Sequence, residues 1–318
     1  MKDKRVFDSE TMATGQWPTT RQATSIGLTI PVAEPVAGAN SPHFADQLAV
    51  SRMAADAGFE ALWFADHFSF DSDEGPRGSW DAWMLMAAIA ASVPNVQIGP
   101  MVACTAYRNP GVIAKMTEMI QDISGGRFIL GLGAGWSKPE YEQFGIRFEP
   151  RVSQFEEALH IIRSLLRDGE VDYQGEYYQA NGAVNLPRSQ RGRETPILIG
   201  STGDRMLRLL VRYADAWNVG WAGDTEGLKG KVARLDAACE AEGRDPQSVV
   251  RTVSVGIAGE GFAGDQATVF RGTTDEAVAL LHELESLGFR HLIIRMDPFT
   301  HGAVESFAPA IELFHSGH

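Results

Sequence analysis

The sequence predicts an α/β chain folded as a single (β/α)8 TIM barrel. Three observations carry that expectation. From residue 25 onward, short apolar strands alternate with longer amphipathic helices, and the alternation repeats eight times. The strands are apolar on both faces, as expected when helices cover a parallel sheet. The length, 318 residues, is one that a barrel fills as one domain. An open, doubly wound sheet is the alternative that the same alternation permits.

The elements follow in order. Ser25–Pro31 is a first strand, and His43–Ala57 a helix with Phe44, Leu48, Met53 and Ala57 near helical spacing and Gly58 at its C-cap. Ala61–Ala65 is the second strand, Trp80–Ala91 a helix and Val96–Val102 the third strand. Asn109-Pro110 opens a helix with a capping side chain and a proline at its first position, and Gly125-Gly126 closes it. Arg127–Gly131 is the fourth strand and Val152–Arg167 a strongly amphipathic helix. Pro196–Gly200, Ala214–Val219, Val249–Ile257 and Phe289–Arg295 complete the strands; Asp204–Tyr213, Thr225–Glu242, Thr274–Leu287 and Ala303–Phe314 complete the helices. The interval between strands four and five is roughly twice the others, which makes Glu170–Thr195 an insertion after helix four, patterned as a hairpin around Gly175 and Gly182. The domain layout is thus a polar N-terminal arm over 1–24 and one barrel domain over 25–318.

Composition narrows the function classes. A hydrophobic share of 44% is enough to bury a real core, and a formal charge of −13 argues against a nucleic-acid partner. No apolar run reaches the length of a membrane helix, and the first residues lack the apolar stretch of a signal peptide. Cys104 and Cys239 make neither a disulfide framework nor a thiolate zinc site, so the expected compartment is the cytoplasm. No His, Asp or Glu set has metal-ligand spacing, and no serine sits in a nucleophile elbow.

Barrel sites are built at the C-terminal strand ends, which selects a few stretches. Strand two exits into Asp66-His67, strand three through Met101-Val102-Ala103-Cys104, strand four into Gly131-Leu132-Gly133-Ala134-Gly135-Trp136, and strand five into Gly200-Ser201-Thr202-Gly203. The strand-four run is not a dinucleotide fingerprint: it has Trp136 where a third glycine belongs and follows the fourth strand. Glycines at a barrel rim can simply relieve crowding. A second small-residue loop opening the next helix points instead to a phosphate cradle, with Arg205 and Arg208 available beside it. His67, beside Asp66 at a strand end, is the imidazole placed to exchange a proton with a bound ring. Packing, with Asp66 as a cap, is the competing reading.

The blocks Tyr107-Arg108-Asn109-Pro110, Ala114-Lys115-Met116, Ile123-Ser124-Gly125-Gly126-Arg127 and Leu130 to Trp136 closely resemble the bacterial luciferase-like monooxygenase superfamily, in particular its F420-dependent oxidoreductase branch. Pro139-Glu140-Tyr141, Phe144-Gly145, Pro196–Gly200 and Tyr213–Asn218 extend the resemblance, which covers about residues 25–295. It implies a barrel, a flavin or deazaflavin across the C-terminal mouth, and a strand-three bulge with a non-proline cis peptide near Met101-Val102, Cys104 beside it. It also implies phosphate contacts at Gly135-Trp136 and at Gly200, Ser201, Thr202 and Gly203, and places Asp66 and His67 near the reactive carbon.

One departure matters. Where the F420-dependent sugar-phosphate dehydrogenases carry a catalytic glutamate after these glycines, this chain has Trp136, which argues against sugar-phosphate oxidation. With Trp63, Trp80 and Trp83 near in sequence, Trp136 suggests an apolar or aromatic substrate mouth. The resemblance therefore implies hydride transfer between coenzyme F420 and a small organic substrate, with His67 and Asp66 catalytic. The alternatives are an FMN-dependent two-component monooxygenase fed by a separate reductase, and a non-catalytic flavin- or deazaflavin-binding barrel. A homodimer is expected by the same resemblance. Substrate specificity is expected in the Asp66–Trp80 loop, the Glu170–Thr195 insertion and Trp221–Gly230.

Overall fold

The computed structural model describes residues 17, 24–35, 42–221, 223–262 and 269–317. Apart from Trp17 and Thr24, the arm expected over 1–24 lies outside the described residues. Eight parallel strands make the barrel: β1 (Ser25–Ile30), β2 (Ala61–Phe64), β3 (Gln97–Pro100), β4 (Leu130–Gly133), β5 (Ile197–Gly200), β6 (Ala216–Gly220), β7 (Val250–Ala258) and β8 (His291–Asp297). Around them lie α1 (Phe44–Asp56), α2 (Ala82–Ser92), α3 (Pro110–Ser124), α4 (Arg151–Arg167), α5 (Asp204–Tyr213), α6 (Thr225–Ala241), α7 (Thr274–Ser286) and α8 (His301–Ser316). Among the described residues no helix is long and apolar enough to cross a membrane.

The hydrogen-bonded order is β3-β2-β1-β8-β7-β6-β5-β4, and β4 then pairs with Ala103–Cys104. The third strand is therefore used twice. Its first half pairs with β2, its second half with β4, and Ile98 bridges Phe128, which closes the sheet into a barrel. Between the halves the Met101-Val102 peptide is cis. The doubly wound alternative is ruled out by this closure.

Helix ends follow local chemistry. Asn109 accepts the Gly111 N–H, Asp81 accepts that of Met84, and Thr273 with Glu276 forms a reciprocal capping box. Strand four differs from its expected span. Arg127 lies before the strand: its carbonyl accepts the Ile98 N–H of the closing bridge, and its guanidinium collects carbonyls of Ala90, Val93, Val96 and Ser124. The ladder instead runs on through Gly131 and Gly133, which sequence reading takes for the strand exit.

The barrel interior is filled from below by Ala61, Trp63, Ile129, Leu198, Ala216 and Ile293, with Trp17 packed against them. His291 sits in this layer with no solvent exposure. Trp63 Nε1 donates to its Nε2 at 2.9 Å, so Nδ1 carries the proton and donates to Ser25 Oγ at 2.6 Å. Gly27 has to be glycine here, because a Cβ would lie 2.7 Å from Trp63 Nε1 and 2.9 Å from His291 Nε2. Burial pushes the His291 pKa down to about 3.

The insertion is an antiparallel hairpin, Glu170–Gln174 against Gln179–Val184. Gly182 lies within its second strand and not at the turn. Glu157 of α4 holds the tip by accepting the N–H groups of Glu176, Tyr177 and Tyr178.

Candidate active site

At the C-terminal mouth a cavity of about 470 Å³ is lined by Asp66, His67, Met101, Val102, Cys104, Gly135, Trp136, Gly200, Ser201 and Gly203, together with Tyr107, Arg151 and Met206. Of the site residues expected from sequence, Thr202 alone is outside this lining; its side chain is exposed at the rim. The tryptophan expectation is corrected more strongly. Trp63 and Trp83 are fully buried in the core and Trp80 lies at the start of α2, bonded to the Pro42 carbonyl, so of the four only Trp136 lines the cavity.

The cavity floor explains the glycines. The Val102 side chain, carried by the broken third strand, projects toward Gly131, Gly133 and Gly200. A Cβ on Gly133 would sit 2.6 Å from Val102 Cγ2, and one on Gly200 3.3 Å from Cγ1. Gly133 and Gly200 leave room for the Val102 side chain, and Gly131 chiefly for the Pro100 carbonyl. Gly203 is different, since nothing lies within 4 Å of where its Cβ would be. Gly135 adopts φ +75°, a left-handed conformation that suits glycine, and its α-carbon packs over Cys104 Sγ and Tyr141 Oη.

Two helix N-termini face the cavity. The first residue of α4, Arg151, lines it, and α5 begins just after Gly203. The first N–H groups of α5 and the dipoles of both helices favour an anion, while Arg151 sits at the seat with its guanidinium and its own N–H both paired with the Glu149 carboxylate. Sequence reading missed the α4 contribution, because Arg151 follows a cis Glu149-Pro150 bond with no capping side chain to mark it. Arg205, expected to assist, is instead paired with Glu156 and Ser153.

Asp66 and His67 have separate partners. Both Asp66 oxygens accept from Arg108 Nη1, at 3.0 and 2.8 Å, and Oδ2 also accepts the Cys104 N–H at 3.1 Å. Asp66 therefore fastens the end of β2 to the second half of strand three. Burial pushes its pKa up, against the opposing pull of Arg108. Cys104 is buried, with its thiol 3.0 Å from Tyr141 Oη, and burial pushes its pKa up to about 11. It is a buried wall of the site.

His67 Nδ1 lies 2.7 Å from Oε2 of Glu140, on the short helix Lys138–Gln143. The ring packs 4.4 Å from Phe70 and 5.5 Å from Trp136, centroid to centroid. Glu140 is 1% exposed. Burial opposes its ionised form, but His67 and the N–H groups of Ser69 and Phe68 outweigh that and hold its pKa below the usual value. In sequence Glu140 is only one letter of a family block; nothing in its spacing ties it to His67, 73 residues earlier.

A second cavity, of about 700 Å³, adjoins the first. Its walls include Val32, Phe70, Phe299, Arg77, Arg295 and Asp297, from the ends of β1 and β8 and the loop after β2. Phe70 connects the two, lining this cavity while its ring packs against His67, which lines the other. The loop expected to set specificity after β2 thus reaches the mouth, whereas the 170–195 insertion lines neither cavity. The physical reason is its place in the chain: it follows a helix, not a strand, and lies along the outside of α4.

These elements define a closed (β/α)8 barrel with a candidate ligand site in a cavity at the C-terminal ends of its strands. Residues 24–259 match the luciferase-like monooxygenase family, and the chain belongs to that family. It is 31% identical over 164 residues to the 5,10-methylenetetrahydromethanopterin reductase of Archaeoglobus fulgidus, covering 52% of this chain and 46% of that protein. It is also 31% identical over 207 residues to pyrimidine monooxygenase RutA of Escherichia coli K12, covering 58% of this chain and 53% of RutA. The chain thus spans about half the length of these curated relatives. Among solved structures, an F420-dependent secondary alcohol dehydrogenase bound to an F420-acetone adduct superposes with a TM-score of 0.78 at 18% identity, over 91% of this chain and 99% of that one. EDTA monooxygenase from Chelativorans sp. BNC1 gives 0.76 at 14% identity, over 92% and 94%. At these identities the likeness is one of fold.

Proposed function

We propose that this chain is an F420-dependent oxidoreductase acting on a small organic substrate. The observation that carries the proposal is the 470 Å³ mouth cavity, with a Val102 knob and Met101 on its floor, an anion seat at one end and His67 at its edge. The residues present suit the cofactor. Ser201 and the first N–H groups of α5 would hold its phosphate, joined by Arg151 once it exchanges Glu149 for the phosphate, and Val102 would back its ring. When bound, F420 supplies hydride exchange at its deazaflavin. The protein's own part is to orient, to exclude water through Trp136 and Phe70, and to move a proton at His67. Asp66 on this reading is a positioning residue, since both its oxygens are committed to Arg108 and the Cys104 N–H.

The adjoining cavity would seat the substrate. Its walls are largely apolar, with Arg77 and Arg295 as the cations. In the same reading the enzyme works in the cytoplasm as a homodimer, the exposed Met84, Val112 and Met119 of α2 and α3 meeting a second copy, and draws reduced cofactor from a separate reductase.

An FMN monooxygenase is the second reading, favoured by the fact that the same seat would take any ribityl phosphate and by the likeness to RutA. Titrating the purified protein with F420 and with FMN separates the two. Saturable F420 binding, weakened by Arg151→Glu, is expected; binding of FMN without F420 overturns the assignment.

A further inference from the structure

The Glu140 carboxylate is the most heavily engaged side chain in the mouth, and its hydrogen bonds have a direction. Oε1 accepts the N–H groups of Phe68 at 2.7 Å and Ser69 at 3.2 Å. Oε2 faces His67 Nδ1 at 2.7 Å and accepts the Tyr107 hydroxyl at 3.0 Å. One buried carboxylate thereby ties together the loop after β2, the segment after strand three and the short helix after β4.

We infer that Glu140 is a positioning residue that fixes the His67 tautomer, so that the proton sits on Nδ1 and Nε2 meets the cavity as an acceptor. This rests on the proposed function only in giving His67 a proton to move; the tautomer itself needs no cofactor. An ionised carboxylate can only accept, so the ring nitrogen beside it has to donate. The other groups around Oε1 and Oε2 agree with an acceptor-only Glu140, because two are backbone N–H groups and the third is a phenol. Burial, with Cys104 and Glu140 close by, pushes the Tyr107 pKa up, which keeps that phenol protonated and donating. Among the described residues no side chain bonds Nε2, and His67 lines the cavity. A ligand hydroxyl or N–H in the cavity would donate to Nε2. If that proton crosses fully, the ring becomes an imidazolium with Glu140 as its counter-charge, and the ligand is left with the electron pair of the broken bond.

The arrangement predicts what a neutral isostere does. In Glu140→Gln the amide oxygen has to stay at Oε1 to keep accepting from Phe68 and Ser69. The NH2 group then falls at the Oε2 position and donates to Nδ1, so the ring proton is driven to Nε2. The side-chain volume is unchanged, so the fold is retained while the tautomer inverts.

Long-range 15N–1H spectra of the histidine rings test this, with His67 assigned by the signal lost in His67→Gln. The wild-type chain without cofactor is expected to show His67 as the Nδ1–H form and Glu140→Gln as the Nε2–H form, with thermal melting near wild type. Tyr107→Phe keeps the Nδ1–H form. A wild-type His67 in the Nε2–H form overturns the inference whether or not any variant folds, and so does a Glu140→Gln protein that folds and keeps the Nδ1–H form. Neither result touches F420 binding, which is measured separately.

Discussion

His67 and His291 are two imidazoles at opposite ends of one barrel, and the difference between them separates scaffold from reagent. His291 closes a circuit: Trp63 donates to one nitrogen, Ser25 receives from the other, and no edge meets solvent. His67 has one nitrogen held by Glu140 and its other edge toward a cavity. What differs is whether the second nitrogen has a protein partner. A satisfied histidine holds strands in register, and a half-satisfied one is available to a ligand.

The largest expected effect falls on the reagent side. His67→Gln should lower turnover about 10²–10⁴-fold, the usual worth of a general acid or base, while F420 affinity changes little. Steady-state assay with any substrate that the wild-type enzyme turns over checks this, and an unchanged rate would remove His67 from the chemistry.

The scaffold side gives the next effect, in stability. The folded His291 pKa is about 3, below the ordinary value of 6.5, so between those values the unfolded chain binds the extra proton. Stability from this group is therefore level above about pH 6.5 and falls as pH drops toward 3, by roughly 5 kcal/mol in all. His291→Leu should flatten that part of the acid-unfolding curve, at a cost of about 1–3 kcal/mol at neutral pH for each of the stranded Trp63 N–H and Ser25 hydroxyl. Denaturant unfolding across that pH range measures both.

Smaller effects mark the boundary between the two regions. Gly133→Val drives a side chain into Val102 and should cost about 1–3 kcal/mol by overpacking, with F420 binding lost as the floor moves. Cys104, with its pKa pushed to about 11, is a thiol at pH 8 and should resist alkylation in the native state, reacting only on unfolding. Thr202→Ala, at the exposed rim, should change cofactor affinity less than about twofold.

The two regions were not equally legible in the sequence. The barrel was readable because strand and helix periods are local, and the mouth because strand ends announce themselves: Asp66-His67, Met101-Val102 and the glycine loops all meet in one cavity. What stayed hidden depends on pairings across the fold. Glu140 to His67, Arg108 to Asp66 and His291 to Trp63 join residues 73, 42 and 228 positions apart. The glycines of β4 and β5 are legible as places of close approach, but one neighbour that approaches them, Val102, is not, because it comes from a different strand. The burial of Trp63 and Trp83 is not legible either, because a large aromatic carries no local sign of which side of a strand or helix it occupies.

The contrast between the two histidines is tested most directly by following both rings in 15N-edited spectra while F420 is added. The His67 resonances are expected to move with saturable dependence on F420 and those of His291 to stay fixed. A His67 signal that ignores F420, or that moves only with FMN, would contradict the contrast.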